Sequence, residues 1–426
     1  MSDNITFFRV RSRLASPLAV GSGENANTDC DVILDSRDMP VIPASSFAGV
    51  IRHFLIDTGK YSDELWGTIN DGKCISSKLR FYDSVSVSDS FITVRDSVAL
   101  ENKISDEAED DELLYNKVGV GGAKFDKEAV EASADFVTLI EMHNVSEDEK
   151  NSILTALSAI DSGYLRFGSK TSRGYGELKI TELKEAFFSM PGDREKWLGF
   201  DPYDYDSDND YTDIIEALKA HSADSYYDRI VLRLKQKGAL SIRSYTVKDI
   251  ADADFTQLSD KDGTPVIPGT SWAGAFRSRF KELSGDRRLT DKLFGYVDIS
   301  ENTQQKSKIV FSESRIKDSV KKLITRTSID RFSGGVKEKA LYSEITRYNG
   351  ECILEISLPS KMEDAEKCRT ILSAVICDLD RGYLSEGGLT SVGRGLFEVM
   401  KMTFNGRDVT EAVKNCNISA MIGDEE

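Results

Sequence analysis

Residues 29–55, DCDVILDSRDMPVIPASSFAGVIRHFL, and residues 254–280, DFTQLSDKDGTPVIPGTSWAGAFRSRF, are two copies of one pattern. They align residue by residue without a gap. The ends of the two units repeat as well, since GYLRFGSKTSRGYGELKI from Gly163 matches GYLSEGGLTSVGRGLFEV from Gly382. Duplication of a whole domain explains both matches, so the features that the copies share are the ones that point to function.

The composition is that of a water-soluble protein with two domains. The 426 residues are 40% hydrophobic and 30% charged, and each half is long enough to bury a core. No apolar run reaches the roughly 20 residues that a membrane helix needs, and the N-terminus lacks the pattern of a secretory signal. The six cysteines are scattered, with no CxxC pair. These features predict reduced thiols and a cytoplasmic protein without a membrane partner.

The net charge of −17 argues at first against a nucleic-acid partner. The acid is concentrated, however, in residues 106–112 and 201–213. Residues 315–347 carry nine Lys or Arg against four acids. A polyanion meets the local potential rather than the net charge, so RNA binding is not excluded.

Each unit is predicted to run β-α-β, a polar excursion, then β-α-β. This order is typical of a split βαβ domain, so the predicted fold class is α+β, with two tandem ferredoxin-like or RRM-like domains. The excursions, 95–131 and 314–347, are too long and too aperiodic to belong to the core. The predicted segments are domain 1 over 1–186, an acidic aromatic connector over 187–226, domain 2 over 227–415 and an acidic tail over 416–426.

A helix is predicted after each PVIP, with an apolar stripe on one face. A pair of hydroxyl residues precedes each stripe and is expected to cap the helix; the pairs are Ser45 with Ser46 and Thr270 with Ser271. Arg52 and Arg277 are the only cations that occupy the same place in both helices. Each is predicted to contact a phosphate, with a solvated side chain or a local ion pair as the alternative.

The glycine-rich stretch FGSKTSRGYG, residues 167–176, is a candidate phosphate cradle. Glycines let backbone N–H groups approach an anion, and side chains of this stretch add donors. The candidate RNA contacts are Gly168, Lys170, Ser172, Arg173 and Gly174, and in the second copy Gly387, Gly388, Ser391 and Arg394. Leu389 and Val392 replace Lys170 and Arg173 in that copy, and a tight structural turn is the alternative reading of both.

Asp29 and Asp254 occupy the same place in the loop that leads to each helix. Taken alone, a loop aspartate is usually a turn former, and a pair of them can hold a hard cation with water. Histidine is scarce, with only His53, His143 and His221, none of them repeated. A mechanism based on histidine is therefore not supported.

The segments PVIPASSFAGVIR, PVIPGTSWAGAFR, FGSKTSRGYG and GGLTSVGRG resemble the RAMP superfamily of CRISPR proteins. The tandem arrangement is similar to fused backbone subunits of type III effector complexes of the Csm or Cmr type, most of all those of type III-D. The resemblance implies partners: a guide RNA, a complementary target RNA, other RAMP subunits, a polymerase-like large subunit and small subunits. It also implies that the excursions are thumb-like hairpins that cross the guide–target duplex, with Arg326, Arg331 and Lys337 as RNA contacts in the second.

The resemblance further implies a reaction. Active members of the family use an aspartate in the loop before the PxIP helix to cut target RNA, and this position corresponds to Asp29 and Asp254. The ribose 2′-OH would attack the adjacent phosphate and leave a cyclic phosphate and a 5′-OH. A divalent cation, Mg²⁺ above all, is the expected cofactor, with no organic cofactor. Three alternatives stay open: a non-catalytic guide-binding scaffold, an endoribonuclease that processes precursor guides, and a protein-interaction module.

Overall fold

The structure, a computed structural model, describes residues 3–21, 31–70, 73–98, 124–244, 253–298 and 303–423. The elements of domain 1 are β1 Asn4–Leu14, β2 Val41–Ile42, α1 Ala44–Asp57, α2 Asp63–Trp66, β3 Thr68–Asn70, β4 Lys73–Ile75, β5 Leu79–Phe81, β6 Ser84–Ser86, β7 Ile92–Val98, β8 Lys124–Val130, β9 Asp135–His143, α3 Glu147–Asp161 and β10 Leu178–Ser189. Three further elements follow, α4 Arg194–Gly199, β11 Thr212–Asp213 and α5 Ala217–Ala220.

Domain 2 repeats this order. Its elements are β12 Tyr227–Lys237, β13 Ala239–Leu240, β14 Arg243–Ser244, β15 Thr256–Gln257, β16 Val266–Ile267, α6 Gly269–Ser284, α7 Arg287–Phe294, β17 Tyr296–Asp298, β18 Thr303–Gln305, β19 Val310–Phe311, β20 Ser314–Arg315, β21 Val320–Ile329, β22 Val336–Tyr348, β23 Glu351–Pro359, α8 Ala365–Arg381, β24 Leu396–Phe404, β25 Arg407–Asp408, α9 Thr410–Asn415 and α10 Ile418–Ile422.

Both domains have the predicted α+β fold. In domain 1 the first strand, β1, lies between β10 and β9, and β5 and β6 pair with β9, all antiparallel. In domain 2, β12 lies in the same way between β24 and β23, and β19 pairs with β23. This order, in which the first strand is flanked by the last strand and the strand after the excursion, is the ferredoxin-like arrangement.

The apolar stripe after each PVIP builds the core as predicted. Phe47, Ile51 and Phe54 of α1 are buried against α3 and the sheet of domain 1. Trp272 and Phe276 of α6 do the same in domain 2, where the Trp272 indole N–H donates to the Ser314 hydroxyl at 3.0 Å. No helix among the described residues is long and apolar enough to cross a membrane.

The predicted hydroxyl caps are wrong. Both helices begin directly after the proline, with Pro43 and Pro268 as N-cap residues and no side-chain cap, so Ser45, Ser46, Thr270 and Ser271 lie within the first turn. In domain 1 the Asp83 carboxylate accepts the Ala44 N–H at 2.7 Å instead. A partner distant in sequence therefore satisfies the helix start.

The connector packs on domain 1. Strand β11 extends the sheet of domain 1 next to β10. Arg9, which is 1% exposed, forms an ion pair with Asp208 and lies 4.3 Å from the ring centre of Tyr211. Phe200 packs against Phe7, with 5.1 Å between ring centres. Asp208 of the connector thus neutralises the sheet cations Arg9 and Lys184, and the connector is packed on the domain rather than forming a free linker.

The C-terminal segment is folded as well, which corrects the prediction of a tail from residue 416. Helix α10 contacts α8 and α9, and Met421 is fully buried next to the Cys377 thiol. Residues 424–426 lie outside the described residues.

Candidate nucleic-acid interface

The glycine-rich stretch of domain 1, here called turn 1 (residues 167–176), lies between the two domains. Its Gly174 is buried, and a Cβ there would meet the Glu313 backbone nitrogen at 2.7 Å. Gly269, the first residue of α6, is equally crowded, since a Cβ would lie 2.5 Å from the Arg173 carbonyl oxygen. Turn 1 is therefore seated against the start of the domain 2 helix.

This contact predicts the effect of a methyl group at the junction. We expect Gly269→Ala to push turn 1 away and cost about 1–3 kcal/mol, because both atoms that the Cβ meets at 2.5 Å are backbone carbonyl oxygens, of Arg173 and Phe311. Hydrogen exchange should show lost protection at residues 171–174 with the domain 2 core unchanged. Gly274→Ala is the control in the same helix, since nothing lies within 4 Å of its added Cβ. Equal protection in the two variants would contradict the contact.

The glycines have a structural role that differs from the predicted one. A Cβ at Gly168 would lie 2.4 Å from the Ala19 carbonyl, and one at Gly387 would lie 2.7 Å from that of Ser241. Within turn 1 the N–H groups of Ser169 and Arg173 donate to protein carbonyls. Gly168 and Gly387 thus allow close packing on the backbone of their own domain. The N–H groups of Ser169 and Arg173 are already hydrogen-bonded and are not available to an anion.

Cations converge at turn 1. Burial, with the charges of Lys127, Arg173 and Arg95, lowers the pKa of Lys170 to about 8. Partial burial and the charge of Arg277 also lower the pKa of Arg173, whose side chain stays exposed at the surface. We call Lys127, Lys170, Arg173 and Arg277 the junction cluster. Arg173 belongs to domain 1 and Arg277 to domain 2, so the domain contact brings together two cations that the sequence predicts separately.

Like charges held together in this way favour a polyanion. Burial is the main cause of the lowered pKa of Lys170 and repulsion from nearby cations adds to it, and a phosphate among these cations would offset both effects. Arg277 also has a carboxylate partner, Asp291, at 2.9 Å. Arg52, its counterpart in domain 1, is exposed and reaches the Tyr61 hydroxyl at 3.3 Å, with the ring centre 5.1 Å away.

The lowered pKa of Lys170 predicts a pH dependence. Between about pH 8 and 10.5 the unfolded chain binds more protons at this lysine than the folded protein, so stability rises with pH in this window. RNA affinity should change in the opposite direction, falling between about pH 7 and pH 9 as the ammonium loses its proton. Fluorescence anisotropy with a labelled RNA measures this. Lys170→Arg should give a high RNA affinity that no longer depends on pH in this range, and Lys170→Met a low affinity that no longer depends on pH. If both variants keep the pH dependence of the unaltered chain, Lys170 is not the group that causes it.

The counterpart in domain 2, here called turn 2 (residues 386–395), differs in its chemistry. Arg394 is 2% exposed and its guanidinium pairs with the buried Glu344 carboxylate at 2.7 Å. Its charge is neutralised inside the domain, which argues against the predicted contact of Arg394 with phosphate. Ser271 bonds to the buried Glu386 carboxyl, whose pKa burial raises to about 8. Ser391 is exposed.

The excursion of domain 2 is a long hairpin formed by β21 and β22, here called hairpin 2. Arg331 and Lys337 are exposed at its tip, and Arg326 is half-buried. The tip also carries Phe332, which is 99% exposed, on a turn held by the Asp330 carboxylate through the N–H groups of Phe332 and Ser333. Phe332 was not predicted as a site residue from the sequence. An aromatic residue beside Arg331 and shortly before two glycines does, however, indicate a ring exposed on a turn.

In domain 1 the excursion contains the hairpin of β7 and β8. Its Arg95 is buried and pairs with Glu131 of the same domain at 2.9 Å and with Glu313 of domain 2 at 2.8 Å. This buried ion pair fixes the hairpin to the second domain. The acidic run 106–112 lies outside the described residues.

Of the two candidate catalytic residues, Asp29 lies outside the described residues. Asp254 is exposed at the base of hairpin 2, where its carboxylate accepts from the Ser343 N–H at 2.6 Å and from the Ser343 hydroxyl at 3.2 Å. In domain 1 the Val32 N–H donates to Glu128 of β8 at 3.0 Å, so the corresponding loop also reaches the base of its hairpin.

The donors for the expected Mg²⁺ do not form a metal site in the described part of the chain. No three His, Cys, Asp or Glu side chains there lie together as possible ligands. Asp254 is a single carboxylate with one oxygen already engaged by Ser343. A cation at Asp254 would need its other ligands from groups other than the described His, Cys, Asp and Glu side chains.

Comparisons with known proteins identify the family. The chain matches the RAMP superfamily over residues 13–179 and 249–398, one match in each domain. A solved chain described as "Cryo-EM structure of the Type III-B Cmr-beta bound to cognate target RNA" is similar at 20% identity and a TM-score of 0.34. That match covers 44% of this chain and 63% of the solved one. No curated protein matches. Because the two superfamily matches span most of both domains, the chain belongs to the RAMP superfamily.

Proposed function

We propose that the chain is a backbone subunit of a type III CRISPR effector complex that binds guide RNA and its complementary target. The junction cluster is the observation that carries this proposal. Lys170 and Arg173 of turn 1 lie within electrostatic range of Lys127 in domain 1 and Arg277 in domain 2, and phosphate is the group that suits such a site. Sequence specificity is then left to base pairing between guide and target.

Hairpin 2 is proposed to meet the bases. An exposed phenyl ring next to Arg331 suits stacking on a nucleobase, which contributes about 1–3 kcal/mol per base. We expect Phe332→Ala to weaken binding of guide–target duplex by about 10-fold, measured by anisotropy. Leu323→Ala is the control, since Leu323 is 65% exposed on the same hairpin away from the tip. Equal losses in the two variants would contradict a stacking role.

Asp254 and Asp29 are proposed to cleave the target. In this reaction a carboxylate oxygen accepts the proton of a ribose 2′-OH, and the 2′-oxygen attacks the adjacent phosphorus. The bond to the 5′-oxygen breaks, and that oxygen takes a proton from solvent. The products are a 2′,3′-cyclic phosphate and a 5′-OH. A nucleotide displaced from the stack by the hairpin can reach the in-line geometry that this attack requires.

The test uses the chain assembled with guide RNA and its partner subunits. Asp254→Asn should remove one cut in a matched target RNA, and Asp29→Asn a neighbouring cut, each with a rate loss of about 10²–10⁴ and RNA affinity unchanged. Cuts at unchanged positions and rates in both variants would contradict the proposal that Asp254 and Asp29 cleave the target.

A non-catalytic scaffold is the second candidate. One observation favours it: the Ser343 N–H and hydroxyl both donate to Asp254, which weakens the carboxylate as a base. Under this alternative the asparagine variants keep every cut. Ser343→Ala distinguishes the catalytic role from the scaffold role. It removes the hydroxyl donor from the Asp254 carboxylate, so it accelerates cleavage only when Asp254 is the base.

A further inference from the structure

The two sheets differ in what covers their outer face, the face that points away from the helices. Along β1, Val10 belongs to the core with the helices, and Phe7 on the outer face packs against Phe200 of the connector. Along β12, Leu232 belongs to the core of domain 2, while Arg233 on the outer face keeps 62% of its side chain exposed. The connector thus covers domain 1, and the same part of the domain 2 sheet stays exposed.

A cross-strand pair of cations lies under the connector in domain 1. Arg9 of β1 is directly opposite Lys184 of β10, and like charges placed in this way destabilise a sheet. The Asp208 carboxylate of the connector forms an ion pair with both cations, and its distance to the Lys184 ammonium nitrogen is 2.6 Å. The Tyr211 ring centre lies 4.3 Å from the Arg9 guanidinium carbon. One carboxylate and one aromatic ring therefore offset the repulsion between the two cations.

Domain 2 has a cross-strand pair of cations without such a cover. Arg233 of β12 is directly opposite Lys401 of β24, and the Lys401 side chain is 57% exposed. Each cation has one carboxylate at its side, Glu351 at 2.8 Å from Arg233 and Asp408 at 3.4 Å from Lys401. No carboxylate in the described part of the chain forms an ion pair with both cations. The position that Asp208 occupies in domain 1 is therefore open to an acidic group from a partner.

Apolar surface lies next to this pair of cations. Ile353 of β23 is opposite Arg233 on its other side and is 53% exposed. A cleft of about 460 Å³ opens beside Arg233 and Ile353, between the two domains, and has room for an aromatic ring. Glu351 and Glu355 line the same cleft and repel a chain of phosphates. The surface therefore suits a peptide with a carboxylate and an aromatic side chain better than it suits RNA.

We propose that the outer face of domain 2 binds an acidic, aromatic segment of another protein. A carboxylate of this segment lies between Arg233 and Lys401, and an aromatic side chain packs on Ile353. Asp208 and Tyr211 of the connector cover domain 1 with the same two kinds of group. The inference goes beyond the proposed function, because it assigns a protein contact that forms without RNA.

A fluorescent peptide with the connector sequence 198–213 is the probe, because it carries this chemistry. Its binding to the full chain is measured by anisotropy without RNA, so a failure to bind RNA has no effect on the outcome. We expect saturable binding that Arg233→Glu/Lys401→Glu weakens at least about 10-fold. Carbodiimide should crosslink a carboxylate of the peptide to Lys401. The control Lys361→Glu/Lys367→Glu reverses two exposed cations near the start of α8 and should bind the peptide like the unaltered chain.

The proposal is overturned if the peptide does not bind, or if it binds a folded Arg233→Glu/Lys401→Glu variant, checked by thermal unfolding, as tightly as the unaltered chain. The second result would place the peptide on another surface, such as that of domain 1. A peptide in which the six aspartates are replaced by asparagine should not bind, and equal binding would show that the carboxylates are not recognised. RNA that crosslinks to Lys401 when the peptide does not bind would make RNA the ligand of this face.

Discussion

Replacing Lys170 and Arg173 together by glutamine is expected to weaken single-stranded RNA binding by about 10–100-fold at moderate salt. Each cation that contacts a phosphate contributes about 0.7 to the slope of log affinity against log salt concentration, so the double variant should lower the slope by about 1.4. Both side chains belong to the junction cluster, where burial and neighbouring cations lower their pKa values. The measurement is a salt titration of binding by anisotropy.

The repeat supplies the matched control. Leu389→Gln with Val392→Gln changes the same two positions in turn 2, which carry no charge in the natural sequence. The salt slope of this variant should equal that of the unaltered chain. An equal loss of RNA affinity in both double variants would mean that the substitutions weaken binding by disturbing the fold. An unchanged salt slope in Lys170→Gln/Arg173→Gln would mean that the junction cluster does not contact RNA.

Arg95→Met is expected to have the largest effect on stability. The guanidinium of Arg95 is buried between Glu131 at 2.9 Å and Glu313 at 2.8 Å, and removing it leaves two buried carboxylates without their cation. Breaking a buried ion pair in this way costs about 3–5 kcal/mol. For domains of this size we expect the melting temperature to fall by on the order of 10 °C, measured by calorimetry.

An exposed ion pair of the same domain provides the comparison. Arg13 pairs with Asp135 at 2.8 Å, but its side chain is 58% exposed, so Arg13→Met should leave the melting temperature nearly unchanged. Similar melting temperatures for Arg95→Met and Arg13→Met would contradict the view that Arg95 holds the two domains together.

The sequence predicted the repeated fold because the determining patterns are local. The stripe of Phe47, Ile51 and Phe54 has helical spacing, and alternation marks β12, so both elements follow from the chain itself. The start of each helix did not follow, since the acceptor at α1 is Asp83, a residue brought close only by the fold.

The candidate site was predicted in part for the same reason. Lys170 and Arg173 lie in one short turn, and the cluster they form was visible as sequence. Arg277 lies near Arg173 only because the two domains are in contact, which the sequence does not show. Arg394 is not part of a cationic site because Glu344, which is distant in sequence, neutralises its charge. The repeat aligned Arg394 with Tyr175 and thus gave no warning of a buried charge.

We propose that one RNA strand follows the domain junction and passes hairpin 2. Photo-crosslinking of a uridine-rich RNA to the full chain, with mass spectrometry of the linked peptides, tests this path. Crosslinks are expected within residues 167–176 and within 320–348 on the same protein molecules. Crosslinks confined to other surfaces, with both of these segments free of RNA, would contradict it.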